Sequence, residues 1–127
     1  MADPKLTPNQ LRRIEEIQGF LKTVDQVRKL IGELESNRAA RPQVLQEISA
    51  RIARELSRMR QRALVANVGT VADVAGALAT MANRSQGLQM KIRGLNEGVA
   101  SLGFQLDRAL AIASTPEQQG PRSDAPV

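Results

Sequence analysis

"ALVANVGTVADVAGALATMA", residues 63 to 82, decides how many helices this chain forms. The stretch is small and almost wholly apolar, and its glycines, Gly69 and Gly76, sit either inside one long helix or beside a joint between two. Gly69-Thr70-Val71-Ala72-Asp73 has the outline of a joint, since Thr-x-x-Asp after a glycine has capping-box spacing. No polar cluster of loop length accompanies it, so the expectation is one helix running through Gly69 with a kink. On a continuous helix, Leu64, Val68, Val71, Ala75, Leu78 and Ala82 share one side. Gly69, Asp73, Gly76, Thr80 and Asn83 lie broadly opposite. An apolar run behind an arginine-rich flank also suggests a membrane span. Asn67, Thr70, Asp73 and Thr80 argue against it, because a central aspartate in hydrocarbon costs on the order of 3 kcal/mol.

Upstream, Pro42 marks a helix start, and Leu45, Ile48, Ile52, Leu56, Met59 and Ala63 trace an apolar stripe. Before that, Thr7-Pro8 pairs a hydroxyl N-cap with a proline at the first helical position. Ile17, Phe20, Val24, Val27, Ile31 and Leu34 then alternate spacings of three and four, the seam of a heptad pattern. Leu11, Ile14, Leu21 and Leu30 widen that seam to a bundle-like stripe. Downstream, Asn83-Arg84-Ser85-Gln86-Gly87 clusters turn residues. Leu88, Ile92, Leu95, Val99, Leu102, Leu106, Ala109 and Ala113 keep a strict four-three alternation. The expected fold is therefore all-α: an elongated antiparallel bundle of three long helices, four if the second breaks near Gly69, with coiled-coil-like packing. Residues 1–114 form one domain, with helices at about 8–36, 42–83 and 86–114. The proline-containing segment 115–127 reads as a flexible tail.

Composition narrows the chemistry. The 127 residues include no His, Cys, Trp or Tyr, and Phe20 and Phe104 are the only aromatics. Imidazole bases, thiol nucleophiles and zinc sites built on His or Cys are excluded. Glu15-Glu16 and Glu33/Glu35 are adjacent or two apart, so they point to different helical faces and read as solvated charges. Asp73 reads as a turn cap or an exposed acid. No catalytic residue, metal ligand, cofactor or small-molecule substrate is expected, and the chain reads as a non-enzyme. The opening Met1-Ala2-Asp3-Pro4-Lys5 has no apolar run, so a cytoplasmic location is the default expectation.

The net charge is +5, and its distribution is uneven. Seven arginines and two glutamates lie between Arg38 and Arg62, while the rest of the chain balances eleven bases with eleven acids. On a helix, Arg51, Arg54, Arg58 and Arg62 fall in one sector about 80° wide, roughly 115° from the apolar centre. Arg60 points elsewhere, and Glu47 and Glu55 dilute the sector. These four arginines are the candidate anion- or partner-binding face, because guanidinium forks match phosphate and carboxylate oxygens. A solvated helix face is the simpler account of the same residues. Without stacking aromatics or a reading motif, any nucleic acid would be held by its backbone.

The second candidate surface is a helix-packing interface at Gly69, Gly76, Gly94 and Gly98. Gly94 and Gly98 have GxxxG spacing, which allows close backbone approach. The expected function is non-enzymatic assembly or adaptor work through helix-face contacts, with protein partners and a homo-oligomer. A basic nucleic-acid-associated protein is the alternative, and a peripheral protein on an anionic membrane surface the third.

Overall fold

Thr7 opens the first helix with a complete capping box. Its hydroxyl accepts from the Gln10 backbone N–H at 3.1 Å, and the Gln10 side chain accepts from the Thr7 backbone N–H at 2.9 Å. In a computed structural model that describes residues 5–84 and 87–116, four helices follow. They are α1 (Pro8–Ser36), α2 (Pro42–Val65), α3 (Gly69–Asn83) and α4 (Leu88–Ala113). No strand occurs among the described residues. Residues 117–127 of the expected tail, and Ser85-Gln86 of the expected turn, lie outside them.

The long second helix of the sequence reading is two helices, and the joint is Asn67 rather than Gly69. Asn67 has φ 62°, the left-handed conformation that ends many helices and that asparagine tolerates better than other side-chain-bearing residues. The Val68 N–H bonds to the Ala63 carbonyl at 2.8 Å, and the Asn67 N–H to that of Leu64 at 3.1 Å. That pair of bonds is a Schellman motif, so the last carbonyls of α2 are satisfied without any polar loop. Val68, at the N-cap of α3, makes no side-chain capping bond, and the suspected Thr70–Asp73 box does not form there. Asn67→Val is expected to lower stability by about 1–2 kcal/mol, the cost of forcing a branched residue left-handed. Asn67→Gly should leave stability unchanged or slightly higher. Equal unfolding temperatures for the two variants would contradict this geometry.

Each helix packs on its sequence neighbours, and α1 also packs on α4, so the four close into a ring around one core. Pairings around the ring run antiparallel: Glu33 meets Arg51 and Thr23 meets Arg62 between α1 and α2. Gln10 straps the start of α1 to the end of α4, donating to the Thr115 carbonyl at 2.7 Å and more weakly to that of Ala113 at 3.4 Å. The fold is an all-α, antiparallel four-helix bundle.

The core follows the seams read from sequence. Ile17, Phe20, Val24, Val27, Ile31 and Leu34 of α1 are buried, as are Ile92, Leu95, Val99, Leu102 and Leu106 of α4. α2 and α3 make the most extensive pairing in the bundle, and many of the residues they bury are alanines, among them Ala53, Ala63, Ala72, Ala75 and Ala79. Small side chains let the two backbones approach closely, which explains the alanine-rich composition of residues 63 to 82. Leu64 does not join this interface. It belongs to α2 and is half exposed, because its place on the α3 stripe assumed a helix that does not continue.

Candidate interaction surfaces

All four arginines of the candidate face are exposed on α2, but the structure treats each differently. Arg51 reaches across to Glu33 of α1 at 3.6 Å, and Arg58 turns along its own helix to Glu55 at 3.2 Å. Arg62 also leans to α1, where its guanidinium donates to the Thr23 hydroxyl at 2.7 Å. Arg54 pairs with no carboxylate among the described residues. Arg51, Arg54 and Arg58 line one groove between α1 and α2, while Arg62 lines another nearer the end of α2, so the four do not form one free arginine ridge. Both ion pairs are about half exposed, so each contributes roughly 0–1 kcal/mol.

The groove itself, about 360 Å³, gains a cation that the α2 pattern does not contain: Lys29 from α1. Lys29, Arg51, Arg54 and Arg58 line it with Glu33 and Glu55, leaving a net positive surface. A signal for the α1 contribution was present. Lys22, Gln26, Lys29 and Glu33 repeat at spacings of four and three beside the α1 seam, the positions that flank a partner helix. Assigning that partner requires the spatial order of the helices.

The four candidate glycines do not form one surface. Gly69 is exposed at the start of α3, with nothing near a would-be side chain. Gly76 lies beneath Arg60 of α2, whose Cδ sits 3.0 Å from where a Cβ would be. Gly94 and Gly98 of α4 face α3: a Cβ at Gly94 would lie 2.6 Å from Met81 Sδ, and one at Gly98 would collide with Leu78. The GxxxG pair thus packs a helix of its own chain.

No single helix pattern reveals the open end of the bundle, where α1 and α3 begin and α2 and α4 finish. Four of the six large apolar side chains exposed among the described residues gather there: Val65 (88% exposed), Ile112 (70%), Leu11 (52%) and Leu64 (49%). Two grooves open between them. One, about 460 Å³, runs between α1 and α2 over Phe20, Val65 and Ala66. The other, about 380 Å³, lies among α1, α3 and α4 over Ile17, Val71 and Leu106. Phe20, only 3% exposed, is the wall between them. The opposite end differs in character. Its groove, about 520 Å³, carries Ser49, Asn83, Arg84 and Lys91, and partial burial lowers the Lys91 pKa below the ordinary lysine value.

Among the described residues, no helix is long and apolar enough to cross a membrane, and no cluster of acidic residues is arranged to hold a metal ion. Asp73 is exposed on the outer side of α3. The fold and its surfaces define a small four-helix bundle with a basic groove between α1 and α2, a second groove carrying Arg84 and Lys91 at one end, and an apolar surface at the other. No protein-family model, curated protein or solved structure matches the chain.

Proposed function

We propose that this bundle is a non-enzymatic assembly or adaptor module that works through helix-face contacts with protein partners. The observation that carries the proposal is the placement of four exposed apolar side chains, Leu11, Leu64, Val65 and Ile112, at one end of the bundle, where Val65 lines one apolar groove and Ile112 another. Exposed apolar surface concentrated in one region marks a protein-binding site more often than scattered single residues do. Affinity capture from native extract is expected to retain protein partners after nuclease treatment and to lose them with Leu64→Ser/Ile112→Asp as bait. Recovery that disappears entirely on nuclease treatment would overturn the adaptor function.

A second function, backbone binding of nucleic acid, is favoured by one observation: Lys29 and Arg54 share the α1–α2 groove without carboxylate partners of their own. It predicts association with duplex or single-stranded nucleic acid that weakens steeply with salt. Lys29→Gln/Arg54→Gln should reduce the salt slope by about 1–2, since each phosphate contact contributes close to one unit. Absence of binding at low salt would exclude it.

A further inference from the structure

Arg54 stands in a conflict of charges that the bundle itself does not resolve. Of the residues that flank it on α2 at three and four positions, Arg51 and Arg58 carry the same charge, and Ala50 and Ser57 carry none. The Arg51–Glu33 contact fixes the register of α1 against α2 and sets Arg54 level with Lys29 and Leu30. Lys29 lines the same groove, so a third like charge stands on the opposite wall. Glu33 and Glu55 are the carboxylates of this groove, and both are engaged, by Arg51 at 3.6 Å and Arg58 at 3.2 Å. Crowded like charges destabilise the free bundle, and such a local violation is expected where a site has a use for it.

The register continues to the Arg62–Thr23 bond. Arg54, Arg58 and Arg62 therefore follow the α1 flank in four-residue steps of about 6 Å, with Lys29 level with the first and the exposed Lys22 level with the last. The groove offers no apolar anchor: Leu30, its one large apolar residue, is 6% exposed, and none of the exposed large apolar side chains lines it. A protein segment seated there would lack the buried contact that carries most interface affinity. A phosphodiester chain needs no such anchor and carries a charge at every link, so it meets evenly stepped arginines in any register. We propose that Arg54 anchors a polyanion seat in the α1–α2 groove, where one nucleic-acid backbone lies along the groove and its phosphates relieve the repulsion among Arg51, Arg54, Arg58 and Lys29. The free bundle is less stable for these charges, and binding restores the difference. The proposal rests on the nucleic-acid function above and assigns it a place.

Arg54→Glu tests both halves at once. In the free protein it turns three like-charge contacts into opposite-charge ones and should raise the unfolding temperature by about 1–3 °C. The same change should weaken binding of a short labelled oligonucleotide at low salt about tenfold or more. Single-stranded and duplex forms of one sequence show which supplies the backbone, and the loss should appear with whichever binds tighter. Arg93→Glu, on the exposed side of α4, alters net charge equally and should weaken binding by about twofold at most, since remote surface charges are screened. Polyglutamate of matched charge should bind more weakly than the oligonucleotide. Oligonucleotide binding unaffected by Arg54→Glu would overturn the groove as the seat and leave the nucleic-acid function standing. Tighter binding of polyglutamate would overturn the occupant in favour of an acidic protein segment. A lowered unfolding temperature for Arg54→Glu would overturn the conflict of charges. No binding of either oligonucleotide at low salt would remove the seat and the nucleic-acid function together.

Discussion

Phe20→Ala is expected to lower the unfolding free energy by about 3–5 kcal/mol, the range for truncating a buried aromatic ring. Phe20 is 3% exposed and separates two grooves of about 460 and 380 Å³, so removing the ring joins them into one apolar void. The side chains that could collapse into that space, Ile17, Val71 and Leu106, are already fixed in the core. Little of the lost contact can be recovered by relaxation. Urea unfolding followed by circular dichroism checks the size of the effect, with Phe20→Leu expected to cost markedly less. A loss below about 1 kcal/mol for the alanine variant would mean that the ring is not a structural wall.

Gly98→Val carries the second large effect and opposes what helix propensity alone suggests. Replacing a glycine inside a helix normally helps, by about 0.5–1 kcal/mol for alanine. Gly32 in α1 has nothing near a would-be Cβ and should show that gain with alanine. At Gly98 a Cβ meets Leu78 of α3, which is itself buried and must shift within the core to make room. Overpacking of this kind costs about 1–3 kcal/mol. The two glycines should therefore give shifts of opposite sign in thermal unfolding. Shifts of the same sign would show that α3 and α4 are not closely packed at this point.

The seams of α1 and α4 were legible because each residue's burial depends on a local repeat. Thr7-Pro8 was equally legible, since a capping box is completed within four residues. The break between α2 and α3 was misjudged because glycine was taken as the punctuation, whereas Asn67 adopts the left-handed conformation and Val68 completes the closure. The four arginines were read as one sector of a helix away from its apolar stripe, and all four are exposed on α2, but their pairing was not legible. Whether Arg51 meets Glu33 or Arg62 meets Thr23 depends on which helix lies alongside and in which direction. The open end was invisible for a related reason. Val65 and Ile112 stand exposed together only because α2 and α4 finish at the same end of the bundle, a relation between elements that no single periodicity encodes.

Gln10 has a consequence for connectivity. Its amide ties α1 to Ala113 and Thr115, residues more than a hundred positions away, and thereby closes the backbone path into a near ring. Stability then resides in the cyclic order of the helices and not in which helix comes first. A short linker joining the region before Thr7 to that after Thr115, with the chain reopened in the α1–α2 turn, would preserve every helix pairing. It would also make the α1–α4 contact local and the α1–α2 contact the longest-range one, moving the loop-closure entropy from one helix pair to another.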